Sequence, residues 1–294
     1  MFRRCFDSLV AQRFSSADID LHLVVVDNSP DCNKRAMLDQ YQHLGLPLYF
    51  IHEPVEGIPN ARNAALNALG QMSPDWIAFI DDDEIAPSEW IGRLHAAALH
   101  CDADVASGKV SQFNSASETQ AAAEAWRPQT SFGKARRLPV CPTSNVLFRG
   151  TIISGASGLR FDEKMRYGGS DTEFFMRAHL RGARIFGFDD ATVFEEYPAD
   201  RSTFSYECMR AVRVGANMNY RYMKNFGGAR GAYFVAQRIG YHLKRAFVCT
   251  LVGLLSYPFT RIKGSKKLRQ GARNAATAFG SAGPIFGIRP NRYW

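Results

Sequence analysis

Asp75-Trp76-Ile77-Ala78-Phe79-Ile80-Asp81-Asp82-Asp83-Glu84 is an apolar run of strand length that ends in adjacent carboxylates. Such runs, bounded by polar residues, read as buried strands of a parallel sheet. In open α/β sheets ligands sit just beyond the carboxyl ends of these strands. Acids packed there repel one another, and a hard divalent cation (Mn²⁺ or Mg²⁺) would relieve the repulsion while also taking oxygens from substrate phosphates. The competing reading is a solvated loop whose acids favour the start of the helix near Pro87 and Ser88.

Working outward, the 294 residues can bury a sizeable core, and 46% hydrophobic with 22% charged residues is globular rather than disordered composition. No apolar leader opens the chain. The cysteines (Cys5, Cys32, Cys101, Cys141, Cys208, Cys249) form no C-x-x-C pair. That points to reduced thiols and away from a zinc site or disulfide framework. The net charge of +8 divides unevenly: residues 201–294 carry +16 and residues 1–200 carry −8. Two functional units are therefore expected, 1–200 and 201–294.

Along the chain, Met1 to Phe14 shows a helical period. Leu21 to Asn28 and Leu48 to His52 read as short strands, with a helix between them to about His43. A helix opens near Gly57-Ile58-Pro59, with proline in its first turn. After the acidic strand come a helix from Pro87 to Leu99 and a strand from Asp104 to Val110. This alternation predicts a doubly wound, mostly parallel sheet. Residues 111–142 read as a flexible excursion over a site. A strand follows at Asn145 to Arg149, then a helix opened by Tyr167-Gly168-Gly169-Ser170-Asp171, and short strands Arg184 to Phe188 and Thr192 to Phe194.

Several residues carry two readings. Asp27 closes its strand either as a ligand to a base or ribose or as a turn former. Arg62 is a diphosphate-side cation or an exposed helical arginine. Ser170 with Glu173 makes a capping box, which leaves Gly168, Gly169 and Asp171 without a purpose. Glycines there let backbone pass close to a ligand, and Asp171 could take a proton from an attacking hydroxyl.

The stretches VVVDNSPD, HEPVEGIPNARNAAL, DWIAFIDDDEIAPSEWI, TSNVLFRG and GGSDTEFFMRAHLRGARI resemble, in that order, the family 2 glycosyltransferases. Bacterial exopolysaccharide β-glycosyltransferases of the succinoglycan kind are the most similar, through the turn at Gly168 to Asp171 and the run Glu195 to Arg201. The resemblance covers about residues 1–200. It implies a GT-A fold, a nucleotide-sugar donor (usually UDP-linked), a divalent metal on the diphosphate through a DxD-type cluster, and inversion at the anomeric carbon. It further implies that Asp27 contacts the nucleobase with Arg62 close by, that Asp81 serves the ribose with Asp82 beside it, and that Asp83 holds the metal. Asp171 matches the general base, and Asn145, Gly168 and Gly169 fall on the acceptor side. Glu195 stands where many relatives carry a metal-binding histidine, so it becomes the second metal candidate. The family's first strand has no counterpart here, so the natural chain is expected to start ~15–25 residues upstream, the length of a strand and a loop.

The region from Cys208 onward contains no acid. Phe247 to Phe259 is apolar but shorter than the ~20 residues of a membrane span. With Lys244, Arg245 and Arg261 to Arg269 around it, it reads as a helix in the interface of an anionic membrane or as a core helix with a basic face. The apolar block is wrong for RNA binding by Tyr220, Arg221, Tyr222, Lys224 and Phe226, so no nucleic-acid partner is expected. The resulting expectation is a cytoplasmic enzyme held peripherally on the inner membrane face, passing sugar to a glycan or lipid-linked acceptor. A truncated, non-catalytic membrane-associated relative and a metal-dependent nucleotidyltransferase are the alternatives.

Overall fold

The computed structural model describes residues 1–14, 19–129, 133–166, 168–197 and 203–286. The described chain forms two compact units, one of residues 1–166 and 170–197 and the other of the remainder.

In the first unit, helix α1 (Phe2–Val10) buries Cys5 and Phe6. Strands β1 (Leu23–Asp27) and β2 (Leu48–His52) pair in parallel, Asp27 opposite His52. Between them lie the short helix α2 (Arg35–Leu38) and a 3-10 segment from Asp39 to Leu44. Helix α3 (Ile58–Met72) starts at Gly57, whose φ of 137° suits a residue without a Cβ, and carries Pro59 in its first turn.

The larger sheet contains β3 (Trp76–Phe79), β4 (Glu84–Ile85), β5 (Val105–Phe113), β6 (Arg136–Leu138), β7 (Val146–Arg149) and β8 (Ile185–Glu196). Its order is β3-β7-β5-β8-β4, with β6 on β8. Helices α4 (Trp90–His100), α5 (Ala116–Ala125) and α6 (Ser170–Leu180) complete the unit. A ring of phenylalanines fills the core: Phe148 meets Phe79, Phe174 and Phe175 at centroid distances of 5.8–6.0 Å. Burying each such ring contributes about 1.5–3 kcal/mol.

The α/β class and the helical C-terminal extension are as the sequence predicts, while the strand directions differ. The β1–β2 and β5–β8 pairs are parallel; β3–β7, β5–β7, β4–β8 and β6–β8 are antiparallel. Alternating elements dictate parallel neighbours only where each strand is followed by its own crossover helix. Strand β7 enters after a long excursion and can come from either end. Among the described residues no ladder joins β1 to β3.

The 111–142 stretch is more ordered than a flexible excursion. Strand β5 runs on to Phe113, α5 is capped by Ser115 Oγ accepting from Glu118 N–H, and β6 follows. The two short strands expected after Arg184 are one, β8, with a register shift opposite Ser107 and Lys109.

The second unit contains α7 (Phe204–Phe226), α8 (Gly228–Ser256) and α9 (Arg261–Ala282). The helices approach closely at glycines: a Cβ on Gly280 would stand 1.9 Å from the Val212 carbonyl oxygen. No helix among the described residues is long and apolar enough to cross a membrane.

Candidate active site

The antiparallel register sets Phe79 of β3 opposite Val146 of β7, so Asn145 lies at the end of β3 where Asp81 to Glu84 begin. On the other flank Glu84 pairs with Glu195. The acids are thus gathered at one end of the sheet by strand pairing. Glu84 is almost wholly buried, and its carboxyl oxygen accepts from the Asp81 N–H at 2.9 Å. Burial, then the charge of Asp81, pushes Glu84 up to about 9. Burial, then Glu195, Asp81 and Asp82, pushes Asp83 up to about 6. Asp81 is raised by desolvation, lowered by Arg62, and raised again by Asp171, Asp82 and Glu195, although its side chain is 48% exposed. The side chain of Asp82 is exposed. Helix α1 backs the acidic loop: Cys5 Sγ donates to the Asp81 carbonyl and Ser8 Oγ accepts from Ala86 N–H.

Asp171 sits in the first turn of α6. Its charge helps raise both Asp81 and the buried Cys141 thiol, so it lies within Coulombic reach of the acidic loop. Arg62 joins the two: its guanidinium is 3.6 Å from Asp81 Oδ1 and donates to Ser170 Oγ at 3.4 Å, with its plane over the Phe161 ring. Helix α6 is held by a buried ion pair, Glu173 to Arg177 at 2.7 Å. Asn63 of α3 donates to the Phe161 carbonyl and accepts the Phe161 N–H, fixing the segment that leads toward α6.

Asp27 closes β1. Its carboxylate accepts from Ser29 N–H (3.0 Å), Ser29 Oγ (2.6 Å) and Lys34 N–H (3.0 Å). Burial raises it, but these bonds and the Lys34 charge outweigh that and hold it below the usual carboxylate range. Next to it, Asn28 Oδ1 accepts from Gly57 N–H, the N-cap of α3. The β1 end is therefore tied to the helix that carries Arg62.

The sequence-predicted residues separate into four groups, of which Asp27, held by Ser29 and Lys34 at the end of β1, is the first. Asp81, Asp82, Asp83, Glu195, Arg62 and Asp171 act on one another electrostatically or by contact. Asn145 is at the same sheet end, but its side chain is fully buried: Oδ1 accepts from Trp90 Nε1, and Nδ2 donates to the Lys109 and Ala191 carbonyls. Gly168 and Gly169 have φ of 107° and 81° and group with the second unit, where Asn217 Nδ2 donates to the Gly168 carbonyl. Tyr167 and the Pro198 to Arg201 part of the resemblance lie outside the described residues.

Sequence reasoning passed over Ser29, Lys34, Asn63, Cys5 and Cys141. Only Ser29, beside Asp27 in a turn-forming Asp-Asn-Ser-Pro run, carried a local signal. Among the described residues, no three side chains of His, Cys, Asp or Glu converge as a ready-made metal cage. The pair Asp83 and Glu195 still suits a hard cation: the charge of Glu195 raises Asp83, a cation would relieve that, and phosphate oxygens and water would complete its shell.

Residues 1–154 match the family described as Glycosyl transferase family 2. The chain is 28% identical over 227 residues to the succinoglycan biosynthesis protein ExoM of Rhizobium meliloti (strain 1021), an alignment covering 74% of this chain and 70% of ExoM. It is 27% identical over 112 residues to glycosyltransferase GlyA of Streptococcus pneumoniae serotype 4, covering 38% of this chain and 15% of GlyA. Among solved structures, S. aureus TarS 1–349 in complex with UDP-GlcNAc is similar in fold, with a TM-score of 0.51 and 15% identity over 98% of this chain and 88% of that one. With the family covering more than half of the chain, this protein belongs to glycosyl transferase family 2.

Proposed function

We propose that this glycosyltransferase moves a sugar, with inversion, from a UDP-linked donor to a hydroxyl of a glycan or lipid-linked acceptor during polysaccharide biosynthesis. The observation that supports this is the reach of Arg62, whose guanidinium lies 3.6 Å from Asp81 and donates at 3.4 Å to Ser170, the neighbour of Asp171, while the Asp171 charge bears on Asp81.

In this reading Asp27 and its Ser29–Lys34 cradle take the base, and Asp81 and Asp82 take the ribose. Arg62 favours the carboxylate form of Asp81 and holds it in place. Asp83 and Glu195 would hold Mn²⁺ or Mg²⁺, which when bound stabilises charge on the departing diphosphate. Asp171 accepts the proton of the acceptor hydroxyl as its oxygen bonds to the anomeric carbon and the bond to the donor phosphate breaks. General base assistance of this kind contributes ~10²–10⁴ in rate. Asn145, wholly engaged in its own hydrogen bonds, supports the acceptor side as a strut rather than by contact. The basic second unit associates peripherally with the anionic inner face of the cell membrane.

A screen of UDP-sugars with Mn²⁺ and a sugar acceptor, read as UDP release and as the anomeric configuration of the product, tests this. An inverted glycoside is expected; pyrophosphate release, or a product that retains configuration, overturns it.

A further inference from the structure

Helices α8 and α9 are packed inside out. In a hairpin built for water, large apolar side chains face the partner helix and small or polar ones face out. Here the buried positions in the second half of α8 are Ala246, Cys249 and Gly253. They meet α9 through its own glycines. A Cβ on Gly253 would stand 2.9 Å from the Leu268 side chain, one on Gly264 2.6 Å from Tyr257 Cα, and one on Gly271 2.5 Å from Thr250 Oγ1. Helices pressed together on small residues are the packing mode of a lipid environment, where large side chains gain nothing by turning inward. The large side chains accordingly face out: Phe247 is 70% exposed, Leu255 64% and Phe259 88%. Leu243, Leu251 and Leu254 are exposed on the same side of α8, within about half of the circumference by helix periodicity.

Charge fixes how such a surface would be met. Tyr257 packs on Gly264 and Thr250 on Gly271, so α9 runs back beside α8 and sets Lys263, Lys266 and Lys267 level with Leu254 to Pro258. All three lysines are exposed, as is Arg261. Upright insertion of the hairpin tip would drag these cations into hydrocarbon. Lying flat instead sinks the outer face of α8 to the acyl boundary and leaves the cations among headgroup phosphates. With no acid from Cys208 onward, nothing in the unit's sequence past that point opposes an anionic surface.

We propose that the α8–α9 hairpin lies in the plane of an anionic bilayer, the ridge from Phe247 of α8 to Phe259 just past its end embedded, with Lys244 and the Arg261–Lys267 turn of α9 on lipid phosphates. This rests on the peripheral membrane reading above and specifies the surface and its orientation.

The test is flotation of the full chain with phosphatidylcholine vesicles, with and without phosphatidylglycerol. Wild type should float with the anionic vesicles and at least tenfold less with the neutral ones. Phe247→Asp/Leu251→Asp/Leu255→Asp should lose at least tenfold in vesicle affinity while its helical circular dichroism is unchanged. Leu251→Trp should be quenched by brominated lipid. Arg261→Glu/Lys263→Glu/Lys266→Glu/Lys267→Glu should lose the preference for phosphatidylglycerol. Binding to anionic vesicles that survives the apolar triple variant and leaves Leu251→Trp unquenched overturns the embedded hairpin and keeps the membrane reading. Absence of flotation with either vesicle overturns both. A dimer in solution that the triple variant dissociates, without flotation, assigns the ridge to a second copy instead.

Discussion

Asn145→Ala removes a side chain that accepts from the Trp90 indole at 2.7 Å and donates to the Lys109 and Ala191 carbonyls at 2.8 and 2.7 Å. Neither side chain is open to solvent, since Asn145 is 0% exposed and Trp90 2%. A buried group left without its partner costs about 1–3 kcal/mol, so the three losses together come to about 3–6 kcal/mol. Asn145 also holds a φ of 53°, where alanine adds about 1 kcal/mol of strain. The local packing offers no relief. Gly108 faces the Asn145 amide so closely that a Cβ there would be 2.3 Å from Nδ2 and 2.0 Å from the Ala191 oxygen. A total of about 4–7 kcal/mol is a large part of ordinary domain stability. Trp90→Phe, which orphans one acceptor only, should cost about 1–2 kcal/mol, and the two changes should be strongly non-additive. Urea denaturation followed by circular dichroism reads the stabilities, and initial rates at varied acceptor read KM. An Asn145→Ala protein within about 1 kcal/mol of wild type, with acceptor KM raised tenfold, would refute the strut and restore a direct acceptor contact.

Because Asp83 holds its proton up to about 6, a cation must displace that proton at lower pH. Apparent Mn²⁺ affinity by calorimetry should therefore climb with pH through that point and level off above it, and Glu195→Gln should move the inflection down; an inflection that stays put sinks the pairing. Arg62→Ala removes a cation that lowers Asp81, so donor affinity should fall about tenfold and weaken further on acidification, because Asp81 then binds a proton more readily; unchanged UDP binding argues against the link. Gly280→Ala should destabilise the second unit by about 3 kcal/mol or more, because its Cβ meets the Val212 carbonyl oxygen at 1.9 Å; a melting curve superimposable on wild type contradicts the close packing of α7 and α9.

The acidic strand end was legible because an apolar run and a charge cluster are both local signals. Which acids would face each other was not, since that depends on β4 pairing with β8 across more than a hundred residues of chain. Helix α5 escaped notice because its alanines give little apolar periodicity. Strand β8 looked like two strands because Gly187 and the adjacent Asp189 and Asp190 interrupt its pattern, although Asp190 is itself buried against Arg93. Asn145 stood out beside an apolar run, but nothing local in Thr-Ser-Asn-Val says that its amide turns inward to two carbonyls on other strands. The inverted packing of α8 and α9 was half visible: the apolar run and the basic residues could be read, while the side of α8 that α9 covers could not.

In the proposed mechanism Asp171 does the chemistry while Asp27 and the Asp81–Asp83 acids hold the donor. Single-turnover transfer by Asp171→Asn, measured beside its UDP-sugar affinity, tests it most directly. Donor affinity within about twofold of wild type and a transfer rate lowered by ~10² or more are expected. A variant that transfers sugar at the wild-type rate, or one that loses donor binding while its chemistry persists, contradicts it.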